Sequence, residues 1–148
     1  MVSQELLRCP FFASFDESQR IALSQITKEI RYKAGTNFFE AGESADALYF
    51  LLDGSVGLYF SSLSETSQEL LIGELGPGEP FAISALIPPH ILMHTVRAIT
   101  PCHVLKIDAA SLRLLCDQDN RLGYLLFRRI AEAAIERLNF MRMQTLDI

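Results

Sequence analysis

The stretch "FAISALIPPHILMHTVRA", residues 81–98, holds the residue types and spacings that come nearest to chemistry in this chain. It opens like a turn whose backbone N–H groups receive an anion, yet isoleucine, leucine and methionine stand where such a turn uses charged or hydrogen-bonding side chains. Neither Arg nor Lys lies between Tyr59 and Arg97, so no cation close in sequence is placed to balance an anion there. Arg97 follows Thr95 by two residues and is read as a surface or packing side chain. His90 and His94 are four apart, with Cys102 and His103 further on, which raises metal ligation. No carboxylate or cysteine joins the two histidines at a recognisable ligand spacing, and no metal site is expected. There is no G-x-S-x-G elbow, no Gly-Lys-Ser or Gly-Lys-Thr phosphate loop and no H-E-x-x-H pair, so no catalytic residue is assigned and no enzyme is expected.

Such residues need a scaffold, and 148 residues are enough for one domain with a core of its own. With 49% hydrophobic and 21% charged residues the chain has ordinary globular usage, which excludes a disordered or fibrous protein. A net charge of −5 argues against a surface that grips nucleic acid throughout. "ALYFLLDGSVGLYF" is broken by Asp53, Gly54 and Gly57, so it is no membrane span, and "MVSQELLRCPFF" is no secretion signal. A cytoplasmic location without membrane partners is the expectation. Cys9, Cys102 and Cys116 are widely spaced and form no C-x-x-C pair; they are read as buried free thiols.

The alternation of pattern along the chain predicts mainly β structure with flanking helices. "SFDESQRIALSQIT" carries Ser14 with Glu17 three residues on, a reciprocal cap for an N-terminal helix over 14–27. Runs rich in Tyr, Phe, Val, Ile and Leu then predict strands near 30–33, 36–40, 47–53, 55–61, 69–75, 94–99 and 102–107. Connections this short favour antiparallel pairing in a closed or double-sheet roll. Val56, Leu58 and Phe60 share a face that should point inward.

"DAASLRLLCD" reads as a short helix capped by Asp108, and the segment from Asp119 to Leu146 as a long one. Leu122, Leu126, Ile130 and Ala133 form a stripe suited to packing on the roll. Tyr124, Phe127, Ala131, Ala134, Leu138 and Met141 form a second, stepping by threes and fours as in a coiled-coil seam, which predicts a homodimer through this helix. Arg128, Arg129, Arg137 and Arg142 alternate with Glu132 and Glu136, a mixed charged face rather than a groove reader.

The order of helix, glycine-punctuated roll, short helix and long helix resembles the cyclic nucleotide-binding domain of the catabolite-activator and fumarate-nitrate-regulator type. The matching segments are "YKAGTNFFEAGESADALYFLLDGSVGLY" (32–59), "LGPGEPF" (75–81) and "TVRAITPCHVLKID" (95–108). The resemblance implies a double-stranded β-helix, or jelly roll, over 30–107, preceded by a helical segment over 1–29 and followed by helices over 108–148, all one domain. It also implies a ligand pocket within the roll, walled on one side by the long helix. There the family uses Phe-Gly-Glu and then an Arg shortly before a Thr-Val strand: the Arg holds the cyclic phosphate and the Glu accepts from the ribose hydroxyl. In this chain Ala82 replaces the Gly, Ile83 the Glu, and Leu92 the Arg, counted back from Thr95 and Val96.

The ligand-binding candidates are therefore Phe81, Ala82, Ile83, Ser84, Ala85, Leu92, Met93, His94 and Thr95, with the backbone amides near Ser84 and Ala85 still available to an anion. Some relatives of the fold bind haem, but no cofactor, haem included, is expected. The leading expectation is a dimeric sensor or regulatory module with weak or no binding of cyclic AMP or GMP and an unknown, more apolar small-molecule ligand. An interaction module with Ile83, Leu92 and Met93 filling the old pocket is the alternative; the sensor half of a transcription regulator is another. In such regulators the long helix leads to a helix-turn-helix domain, which is not found in this sequence, so direct DNA binding by this chain is not expected.

Overall fold

A computed structural model describes residues 2–61 and 69–146; Met1, the segment 62–68 and residues 147–148 lie outside the described residues, so the predicted domain limits of 1 and 148 are not reached. The chain enters through α1 (Val2–Arg8), which falls in the helical segment expected over 1–29 although the sequence places only the helix over 14–27 there, and a single 3-10 turn at Pro10–Phe12. Helix α2 (Glu17–Ser24) follows. Its cap is Asp16, which accepts from the Gln19 N–H at 2.8 Å while the Gln19 side chain accepts from the Asp16 N–H at 2.9 Å. The expected cap at Ser14 is thus corrected by two residues. Phe15 explains the shift: it is buried against Phe11 and Phe12, and starting the helix at Ser14 would carry it into the first turn.

Among the described residues, eight antiparallel strands form two four-stranded sheets: β1 (Thr27–Tyr32), β2 (Asn37–Phe39), β3 (Ala47–Asp53), β4 (Val56–Ser61), β5 (Glu69–Leu75), β6 (Pro80–Phe81), β7 (Thr95–Ala98) and β8 (Cys102–Asp108). One sheet runs β1-β8-β3-β6, the other β2-β7-β4-β5. This is the expected jelly roll, with β6 as an added short strand. Successive side chains of a strand point to opposite faces, and β3 is buried on both, from Ala47 to Leu52. Tyr49 stacks on Phe81 at 4.9 Å on one face, while Phe50 meets Phe11 and Phe12 at 4.6 and 4.8 Å on the other. The N-terminal turn is therefore part of the core.

Phe60 departs from the expected inward face: Val56 and Leu58 are buried, Phe60 is exposed. The pairing of β4 with β7 ends at Tyr59 and Thr95, so Phe60 pairs only with Leu70 of β5, on a hairpin end that extends past the neighbouring strand. Gly54, in the β3–β4 turn, has φ +104°, and a Cβ there would lie 2.4 Å from the Pro101 carbonyl oxygen. Gly54→Ala is expected to cost at least ~2 kcal/mol, from the left-handed backbone and a clash with backbone that cannot swing away. Urea denaturation measures this directly, and a cost under about 0.5 kcal/mol, the ordinary range of surface changes, would contradict the turn geometry.

Helix α3 (Ala109–Gln118) is capped by Asp108, which accepts from the Ser111 N–H at 2.9 Å. Helix α4 (Asn120–Leu146) buries Leu122, Leu126 and Ile130, as the first stripe requires, with Ala133 half-buried. Arg129 ties this part of the helix to the N-terminal turn, donating from Nε to the Phe11 carbonyl at 3.1 Å and from Nη2 to that of Pro10 at 3.2 Å. Among the described residues no helix is long and apolar enough to cross a membrane.

Candidate functional site

The segment after β6 builds one wall of a cavity of about 250 Å³. Ala82 turns the chain with φ +62° and ψ 39°, and Ile83–Leu86 then form a 3-10 turn. Only glycine occupies this left-handed region without penalty, so the alanine standing where the family has glycine preserves the turn at a cost. Ala82→Gly is expected to raise stability by about 0.5–1 kcal/mol once the greater unfolded-state freedom of glycine is subtracted. A thermal melt should read this as a rise of roughly 1–4 °C; a fall in melting temperature would contradict the left-handed assignment.

Of the nine candidates, Phe81, Ala82, Ile83, Ser84, Leu92, Met93 and His94 line the cavity. Ala85 and Thr95 do not. Ala85 is fully buried, its N–H donating to the Ala82 carbonyl at 3.0 Å and its carbonyl accepting from Arg113 Nη1 at 2.7 Å. Its amide is thus occupied, contrary to the expectation that it stays open to an anion. The Thr95 hydroxyl is buried and accepts from the Ala41 N–H at 3.1 Å, joining β7 to the turn after β2. The apolar back of the cavity comes from Phe39, Leu58 and Val96 of three different strands.

Helix α4 supplies the facing wall through Ala134, Arg137, Leu138 and Met141. Three of these belong to the predicted seam, so one helix face serves both the cavity and the exterior. Arg137 is the residue the sequence reading missed. Its Nη2 donates to the Pro80 carbonyl at 2.5 Å, while its Nε is buried without a hydrogen-bond partner among the described residues. Burial lowers the guanidinium's pKa, opposed by the charge of Glu79, yet an arginine stays charged under these conditions. The signal was helical spacing: Arg137 lies three residues after Ala134, on the same face. Arg128 and Arg129 do occupy the mixed charged face, pairing with Glu132 at 3.3 and 3.2 Å.

The remaining polar candidates have structural partners. His90 donates from Nδ1 to the Ser84 carbonyl at 3.1 Å and fastens the loop. His94 faces the cavity; burial holds its pKa below the ordinary value, and the charge of Arg137 adds to that. His103 lies on β8 with Nε2 2.5 Å from Glu29 Oε1, apart from the other two. Among the described residues no three His, Cys, Asp or Glu side chains converge as metal ligands. Arg97 bonds Asn37 at 2.6 Å, pairs with Glu69 at 2.8 Å and covers the Tyr59 ring, away from the cavity. Cys9 and Cys102 are buried and Cys116 half-buried; burial pushes the Cys9 and Cys116 thiols up to about 11, so they stay protonated.

A jelly roll with a pocket at its β6–β7 segment, walled on one side by a long C-terminal helix, defines a class of ligand-binding regulatory domains. The sequence profile of the cyclic nucleotide-binding domain matches residues 29–119, and the chain belongs to that family. It is 29% identical over 106 residues to the cAMP-activated global transcriptional regulator Vfr of Pseudomonas aeruginosa, a match covering 69% of this chain and 49% of that protein. The chain thus spans about half the length of that curated relative. A crystal structure from Geobacter metallireducens GS-15, of a protein named for cyclic nucleotide binding, is 32% identical with a TM-score of 0.82, covering 93% of this chain and 99% of that one. The N-terminal domain of a transcriptional regulator from Streptomyces coelicolor A3(2) is 25% identical with a TM-score of 0.70, covering 93% and 94%.

Proposed function

We propose that this chain is a non-enzymatic sensor module whose pocket binds cyclic AMP and cyclic GMP weakly or not at all and accepts a smaller, more apolar ligand. The observation that carries this function is the cavity of about 250 Å³ that persists beside Ile83 and Leu92, the side chains standing at the family's two charged anchors. Had these side chains filled the old pocket, an interaction module would follow instead. A volume just under the ~300–1,000 Å³ of pockets for drug-sized molecules suits a small ligand.

The output passes through α4. Ala134, Leu138 and Met141 border the cavity, and Tyr124, Phe127 and Ile135 of the same helix are exposed. A ligand that favours one seating of the helix over another shifts whatever the helix assembles with, and the spacing of its apolar residues favours a second copy of this chain.

Melting temperature measured against cyclic AMP, cyclic GMP and a set of small apolar metabolites tests the sensor function. A ligand at a hundred times its dissociation constant stabilises by ~2.7 kcal/mol, a rise of roughly 5–10 °C for a domain of this size. A saturable rise with an apolar compound supports the function; indifference to every compound overturns it in favour of an interaction module.

A further inference from the structure

Among the described residues, the cavity walls carry one permanent charge, and it is positive. Arg137 lines the cavity together with His94 and Ser84, and no described Asp or Glu is among the lining residues. The contrast with the neighbouring cavity of about 300 Å³ is informative, since Arg137 borders that one as well. There Glu74, Glu79 and Glu136 contribute three carboxylates, which repel an anion. The guanidinium thus stands between an acidic cavity and one whose polar groups are a cation, an imidazole and a hydroxyl.

Arg137 is also incompletely satisfied. One N–H is spent on the Pro80 carbonyl, while Nε is buried with no hydrogen-bond partner among the described residues. Buried donors are nearly always paired, and a planar guanidinium fork matches a carboxylate. Most of the rest of the lining is hydrocarbon, including Phe39, Leu92, Val96 and Leu138. About 250 Å³ corresponds to roughly eight water molecules at liquid density, ~30 Å³ each.

We propose that the ligand is a small amphipathic monocarboxylate, its carboxylate on Arg137 and its hydrocarbon body against the roll, a ligand class that rests on the apolar-pocket function above. A single arginine balances one negative charge. The long helix thereby supplies a cation that the segment between Tyr59 and Arg97 lacks, and occupancy of the pocket would bear directly on the helix that carries the dimer seam.

The test is a titration of the isotope-labelled chain, followed by amide chemical shifts, with hexanoate, hexanamide and hexyl phosphate. Hexanoate should bind at least tenfold more tightly than hexanamide, since a charge-assisted hydrogen bond corresponds to about 10- to 100-fold. Arg137→Gln should abolish the preference. Because that variant also loses the Pro80 contact, Ile83→Trp, which keeps Arg137 and fills the cavity, should block hexanoate independently. Equal binding of hexanoate and hexanamide overturns the carboxylate anchor and leaves the apolar pocket standing, whereas hexyl phosphate binding more tightly than hexanoate overturns the monocarboxylate class. Absence of binding by all three overturns the inference. Failure of the pocket function itself is read separately, as tight binding of cyclic AMP in the same assay.

Discussion

Cyclic AMP and cyclic GMP titrated calorimetrically into the protein are expected to give no saturable heat at micromolar concentrations. The resemblance to the family implies two charged anchors, a glutamate for the ribose hydroxyl and an arginine for the phosphate, and their places hold Ile83 and Leu92. Both side chains border the cavity, and Leu92 is only 5% exposed, so neither position presents a polar group in their stead. Each charge-assisted hydrogen bond contributes about 1.5–3 kcal/mol, so two absent anchors remove about 3–6 kcal/mol, or some 10²–10⁴ in affinity. Arg137 returns at most one of them, from the opposite wall. Of the backbone donors expected to remain near Ser84 and Ala85, the Ala85 N–H is already taken by the Ala82 carbonyl. A dissociation constant in the micromolar range or below, for either nucleotide, would overturn the claim that the pocket has changed its ligand.

The elements of this fold were legible because their signals are local. Runs rich in Tyr, Phe, Val, Ile and Leu between glycine and proline turns marked all the described strands but β6 to within three residues, and Asp108 marked the start of α3. Where two local signals competed, tertiary packing decided. Both Ser14 with Glu17 and Asp16 with Gln19 fit a capping box, and burial of Phe15 selected the second. Helix α1 has seven residues, too few to be stable alone, and is held by buried Leu6. The site was half legible. Its loop wall follows from order along the chain, whereas its cation, Arg137, lies more than 40 positions beyond Leu92 on α4 and was hidden among charges of similar spacing. Arg137 differs from Arg129 only in which surface its turn of α4 meets.

Phe127→Glu is expected to convert a dimer into a monomer without unfolding the chain. Phe127 is 39% exposed and Tyr124 64% exposed in the single chain, while Leu126 between them is completely buried. At this turn of α4 the expected seam residues therefore lie beside the core stripe, not within it. Fully covering an exposed phenylalanine contributes about 1.5–3 kcal/mol, so covering the part of Phe127 still exposed contributes about 0.6–1.2 kcal/mol. In a two-fold dimer every substitution occurs twice, so the loss is about 1.2–2.4 kcal/mol, a weakening of roughly 10- to 50-fold before the cost of burying the new carboxylates is added. Sedimentation velocity at tens of micromolar, on the order of concentrations that populate ordinary dimers, should show the unaltered chain as a dimer and the variant as a monomer with a normal unfolding transition. A monomeric unaltered chain, or a variant that stays dimeric, would place the assembly surface elsewhere. Phe127 does not border the cavity, so the monomeric variant should keep its ligand affinity except for the part contributed by assembly. Any change in affinity between the two forms then measures the coupling between pocket and seam, because a ligand that strengthens the dimer must itself bind the dimer more tightly by the same factor.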